Sequence, residues 1–207
     1  MIATYNTNVG DVLMLITAND RGEKVNFERK GKVARIFIEE TGATVAWNIF
    51  EAKSLLTDLS GNGQVKLSSD DVEILNKELG KSGFSDVLVH DSQPKFVVAE
   101  IVEWKITQTQ IIFISVKLML VLLIQYKLFV VHNASLGLKT VAALPGAMMP
   151  NGALIFPGAL RGVQSYGMLC SARELELPDA PDVRGIIELS SALAAGTAFD
   201  SETMWQA

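Results

Sequence analysis

At 207 residues the chain has room for one large domain or two small ones, and 49% hydrophobic with 20% charged residues is the balance of a packed globular protein. That excludes a disordered tail and a collagen-like array, while a net charge of −5 excludes a surface basic throughout, so that any nucleic-acid site has to be local. The single cysteine, Cys170, excludes a disulfide framework, and with only His90 and His132 as further soft ligands it speaks against a structural zinc site.

The opening Met1-Ile2-Ala3-Thr4-Tyr5-Asn6 lacks the basic then apolar pattern of a secretory signal, so a cytoplasmic protein is expected. Val12 to Thr17 is a short apolar strand. Val33 to Ala52 reads as two strands joined at Glu40-Thr41-Gly42-Ala43, a glycine-containing hairpin connection. Gly61-Asn62-Gly63 marks a turn. Ser68-Ser69-Asp70-Asp71 then supplies an N-cap and early negative charge to a helix with Val72, Leu75 and Leu79 on one face and Gly80 as its expected C-cap. These elements make a small α+β domain over residues 1–92. Asp91-Ser92-Gln93-Pro94 carries the turn-formers of a domain boundary.

The second half, residues 93–207, opens with an alternating strand from Lys95 to Trp104 and resumes regular patterning at Leu138 to Leu144. Pro145-Gly146, Pro150-Asn151-Gly152 and Pro157-Gly158 cut the chain beyond Leu144 into short strands, and Gly185 to Leu189 is expected as a late one. Short strands with turns at intervals predict a small barrel or sandwich. Between the two regular stretches, residues 111–131 are apolar over about the length of a membrane helix, although Lys117, Gln125 and Lys127 interrupt the run. A buried β-rich segment is the plainer reading. The alternative class of function is a membrane-tethered or protein-interaction module in which this run is an anchor.

Enzymatic motifs fail one by one. Gly80-Lys81-Ser82 imitates the end of a phosphate-binding loop, but the glycine needed five positions earlier is Leu75. Gly162 to Gly167 is one residue too long for a nucleophile elbow around Ser165. Cys170, between Leu169 and Ser171, reads as a small buried hydrophobe. No catalytic site, cofactor or metal is expected. Charge is more telling: from Trp104 to Arg173 no Asp or Glu occurs, while Lys105, Lys117, Lys127, Lys139, Arg161 and Arg173 do. A basic stripe on an acidic chain is the footprint of a local phosphate-binding face; long apolar strands that omit acids give the same count.

The run from Gly137 to Leu177 contains Val141-Ala142, Pro145-Gly146-Ala147, Leu160-Arg161-Gly162-Val163, Ser165, Gly167-Met168-Leu169-Cys170-Ser171 and Glu174-Leu175. It closely resembles the tRNA-binding OB domain at the N-terminus of bacterial phenylalanyl-tRNA synthetase β chains. That domain also occurs as a free-standing bacterial tRNA-binding protein and at the C-terminus of some methionyl-tRNA synthetases. The first half resembles the extra N-terminal domain of the free-standing form. No catalytic domain follows residue 207, so the synthetase itself is not expected.

The middle departs from the family. Its members carry His-Pro-Asp-Ser-Asp-His-Leu, then Cys-Gln-Val-Asp-Val-Gly and Val-Gln-Ile-Val-Cys-Gly-Ala-Pro-Asn, none of which appears from Trp104 to His132. Joining the third base of each codon to the first two of the next allows these stretches back, and the ordinary frame returns at Asn133. Residues 104–132 are therefore read as out of frame between two compensating indels. Part of the acid-free stretch then owes its composition to the shift, which leaves Lys139, Arg161 and Arg173 as evidence for a basic face.

The resemblance implies an all-β OB-fold, a five-stranded barrel with its second and third strands disrupted, that binds tRNA without chemistry. The strand 2 to 3 face of an OB barrel takes the nucleic acid. Arg161 and Lys139 are expected at phosphates, Ser165 and Ser171 as hydroxyl partners, Asn133 at the loop and Arg173 at the rim. Arg161 equally suits bracing the loop through backbone carbonyls. The expected partner is tRNA, with no DNA and no membrane; a homo-oligomer is left open.

Overall fold

The computed structural model describes residues 1–106, 112–119, 122–128, 133–160 and 163–205, with 103–106, 112–119, 122–128, 159–160 and 163–164 described by backbone alone. The chain divides into two compact units, Met1–Ser92 and Gln93–Ala207.

In the first unit, strands β1 (Ile2–Asn6), β2 (Val12–Ile16), β3 (Val25–Lys30), β4 (Val33–Ile38), β5 (Thr44–Phe50) and β6 (Asn62–Val65) form an antiparallel sheet in the order β3-β4-β5-β2-β1-β6. Period-two alternation decides its faces. Tyr5, Leu13, Ile49 and Val33 lie in one cross-strand row, and Ala3, Leu15 and Trp47 in the next. These side chains are buried together with Val72, Leu75 and Leu79 of helix α1 (Ser69–Lys81). Fully burying a side chain of this size stabilises the fold by about 1.5 to 3 kcal/mol. Trp47 meets Phe84 edge-to-face with ring centroids 5.1 Å apart.

The hairpin and the helix form where the sequence places them. Ser68 caps α1 through a box in which its Oγ accepts from the Asp71 backbone N–H at 3.1 Å and the Asp71 carboxylate accepts from the Ser68 N–H at 2.8 Å. Gly80, expected as the C-cap, lies inside the helix, which runs on to Lys81; Gly83 is the residue that takes a positive φ, of 79°. Gly61-Asn62-Gly63 is only partly a turn, because Asn62 and Gly63 already pair with Asn6 and Tyr5 in β6.

In the second unit, β7 (Phe96–Ile106), β8 (Ile112–Met119), β9 (Leu122–Leu128), β10 (Lys139–Ala143), β11 (Gly158–Leu160), β12 (Val163–Ser165) and β13 (Met168–Leu169) make a five-stranded sheet ordered β13-β10-β7-β8-β9 and a separate β11-β12 hairpin. The unit is β-rich, with one short helix, α2 (Ser201–Met204), among the described residues. Hydrogen bonding between β13 and β9 does not close the sheet into a barrel among those residues. The described parts of the long apolar run are two strands, and no helix among the described residues is long and apolar enough to cross a membrane.

Both faces of the β7–β10 pair are covered, which explains the near-continuous apolar sequence of these strands. Val97, Ala99, Ile101 and Ala142 pack with Leu169 and Ile186. Val98, Val141 and Ala143 pack with Cys170, Met149 and Ile187. The late strand expected at Gly185 to Leu189 is instead an extended segment held by single bonds: Ile187 N–H to the Cys170 carbonyl at 2.9 Å and Leu189 N–H to the Lys139 carbonyl at 2.8 Å.

Candidate functional site

Three of the six expected residues, Asn133, Ser171 and Arg173, line one cleft of about 340 Å³, together with Arg184, Glu188 and Trp205. Lys139 and Ser165 are not among the residues lining it, and Arg161 lies outside the described residues.

Asn133 imitates a strand partner. Its Nδ2 donates to the Ile186 carbonyl at 2.9 Å and to Glu188 Oε1 at 2.9 Å, while its Oδ1 accepts from the Ile186 N–H at 3.1 Å. The amide thus fixes the wall formed by residues 185–188. Gly185 has φ +157°, and a Cβ built there would stand 2.8 Å from Asn133 Oδ1, so only glycine lets the side chain approach this closely.

Ser171 opens the adjoining turn. Its Oγ accepts from the Glu174 N–H at 3.2 Å and donates to Glu174 Oε2 at 2.8 Å, and its own N–H donates to the same carboxylate at 2.8 Å. This is a capping box of the kind Ser-x-x-Glu announces in sequence. Arg173, within the same turn, is exposed and ion-paired with Asp182. Arg184 is exposed and has no ion pair among the described residues. The Trp205 indole is held by donating to the Pro178 carbonyl at 2.9 Å.

Lys139 and Ser165 have structural partners. Lys139 sits opposite Glu100 in the β7–β10 register, with Nζ 2.7 Å from Oε2 and a side chain only 12% exposed. An oppositely charged pair placed directly across two strands stabilises the sheet, and a phosphate would have to compete with that carboxylate. Ser165 Oγ donates to the Gly167 carbonyl at 3.1 Å. Cys170 is buried as expected; burial, reinforced by the nearby Glu174 carboxylate, pushes its thiol up to about 12, which leaves almost no thiolate at neutral pH. Met168 is half-buried beside it. No group of three or more His, Cys, Asp or Glu able to hold a metal occurs among the described residues.

Arg184 and Trp205 are the cleft residues that the sequence does not single out. Arg184 stands among Asp182, Val183 and Gly185 without a motif, and Trp205 lies far beyond Glu174-Leu175, where the family-like pattern ends. Only folding brings either to the cleft. The pattern that does foretell part of the site is Ser171-x-x-Glu174.

Residues 20–91 match a family model described as "Domain of unknown function (DUF4479)". The chain is 41% identical over 203 residues to the "Putative tRNA-binding protein YtpR" of Bacillus subtilis (strain 168), covering 96% of this chain and 99% of that protein. It is also similar to phenylalanine–tRNA ligase β subunits: 48% identical over 61 residues in Sulfurimonas denitrificans and 51% over 65 residues in Bordetella pertussis. Those matches take in 30% and 31% of this chain and 8% of each subunit's length.

Proposed function

Because the chain belongs to the YtpR family, as 41% identity over nearly the full length of both proteins shows, we propose that it is a cytoplasmic, non-catalytic tRNA-binding protein. That full-length likeness is the observation that carries the reading. In this reading residues 93–207 form an OB-type domain, and the cleft framed by Asn133, Ser171, Arg173, Arg184 and Trp205 belongs to its RNA-facing side. The β-rich second unit, the local likeness to synthetase β subunits and the two arginines of the cleft support it. Arg161 is a further phosphate contact, Ser165 shapes its loop, and Lys139 serves the sheet through Glu100 before it serves RNA.

RNA helices offer proteins shape, phosphates and 2′-hydroxyls rather than readable bases. The expected result is therefore similar affinity for several unrelated tRNAs, falling as salt rises because phosphate contacts release counterions. Gel shifts at two or more salt concentrations measure this. Arg161→Ala should cost about 1 to 3 kcal/mol for every tRNA and reduce the salt slope by roughly one ion. Equal affinity for a simple RNA duplex would refute shape recognition.

The same reading takes residues 104–132 as out of frame, since the family's stretches return under a one-base shift. Sequencing of the coding DNA across Glu103 to Asn133, with an intact mass of the natural protein, decides the frame.

A further inference from the structure

The first unit has a face that the tRNA reading does not use. Helix α1 covers one side of the six-stranded sheet; the other side is built from the alternate residues of every strand. Its longest row crosses all six strands as Arg29, Ala34, Asn48, Met14, Thr4 and Gln64. The neighbouring row runs Phe27, Ile36, Ala46, Ile16 and Ile2. Ala34 and Ile2 are buried, so the accessible part of this face lies around Phe27, Arg29, Met14 and Gln64. Phe27 is 66% exposed and Met14 38% exposed. Asn48, Thr4 and Phe50 are half-buried and Gln64 is exposed.

Three features of this face point to one kind of occupant. First, its strand positions include no aspartate or glutamate, although the chain as a whole carries five more negative than positive charges. Second, its cation is already arranged: the Arg29 guanidinium lies 3.8 Å from the centroid of the Phe50 ring, its Nε donates to the Gly31 carbonyl at 3.2 Å, and it has no ion pair among the described residues. Stacking fixes the plane of the guanidinium while its remaining N–H groups stay available for an anion. Third, Asn48, Thr4 and Gln64 make no side-chain hydrogen bond among the described residues. A face with an exposed phenyl ring two residues along the strand from a flat cation, and with unengaged amides and a hydroxyl in the cation's row, offers π-stacking, phosphate pairing and hydrogen bonding together. Single-stranded RNA uses all three, as sheets with exposed aromatics do elsewhere. An apolar protein anchor would leave the amides and the arginine unpaired.

We propose that the sheet face of the first unit opposite helix α1 binds a short, unstacked single-stranded RNA segment, with a base on Phe27, a phosphate at Arg29 and hydrogen bonds from Asn48, Thr4 and Gln64. The proposal rests on the first unit alone and does not depend on the cleft of the second.

The test uses the full chain and two labelled probes, octaadenylate RNA and a short RNA duplex, followed by fluorescence anisotropy at low salt. Octaadenylate should bind in preference to the duplex. Base–aromatic stacking is worth about 1 to 3 kcal/mol per base, so Phe27→Ala should weaken octaadenylate binding by about 5- to 150-fold, and Arg29→Gln should weaken it further. Phe27→Trp should keep the affinity and show indole fluorescence quenched by octaadenylate. Phe27 is largely exposed, so these variants should fold with unchanged circular dichroism. Duplex binding as tight as octaadenylate binding, an undiminished Phe27→Ala variant, an unquenched indole, or octaadenylate binding abolished by Arg184→Ala but indifferent to Phe27 would each overturn the proposal.

Discussion

Asn133 shows how a residue expected at a loop earns its place through geometry. Its amide makes three hydrogen bonds to the 186–188 segment, and that arrangement needs Gly185 to be bare. Gly185→Ala should destabilise the second unit by about 1 to 3 kcal/mol, through both the positive φ and the collision with Oδ1. A lowered melting temperature checks this, and an unchanged one would mean that the segment shifts freely. Single residues also explain why much of the site is hidden in the sequence. Lys139, Arg173 and Arg184 look alike as letters, yet the first is largely buried against Glu100, the second exposed and paired with Asp182, and the third exposed without an ion pair among the described residues. A cation's availability depends on cross-strand register and loop closure, neither of which the local pattern carries.

Among elements, α1 is legible because its start signal and its periodic face agree: Ser68 caps, Asp70 and Asp71 favour the first turn, and Val72, Leu75 and Leu79 recur at helical spacing. Ser68→Ala should cost about 1 kcal/mol of stability, seen as a lower urea midpoint with an unchanged slope, whereas Ser68→Asp should retain most of it. The β4–β5 hairpin is legible through its glycine turn. Strands β1 and β3 are not. Ile2–Asn6 mixes apolar with polar residues, and all six residues of Val25–Lys30 are exposed, so its sequence carries no buried alternation to read. Gly80 misleads for a different reason: glycine is tolerated within a helix at a cost of about 1 kcal/mol when packing on both sides holds it, as Leu79 and the capped start do here. The Gly185–Leu189 segment has strand-like letters but only isolated pairing, because Cys170 and Lys139 each offer it a single carbonyl.

At the scale of the whole molecule, Met1–Ser92 has its own core, with Tyr5, Trp47 and Leu75 all essentially inaccessible. The Met1–Ser92 fragment should therefore fold alone and unfold in one cooperative urea transition; a fragment without such a transition would show that its core needs the rest of the chain. The turn-formers at Asp91 to Pro94 mark the division in the sequence because a boundary is a local matter of composition. Strand order is not local, and the placement of β6 beside β1, or of β10 between β7 and β13, depends on pairings across tens of residues. The six-stranded sheet also has two borders. A free border offers unpaired amides and carbonyls on which a strand from another molecule can grow. At one end β3 ends in the consecutive charges Glu28, Arg29 and Lys30, and at the other β6 is four residues long and contains Gly63. A strand added at the first margin would have to desolvate those charges, and at the second it would find little backbone to pair with, so both margins guard the sheet against growth into a fibre.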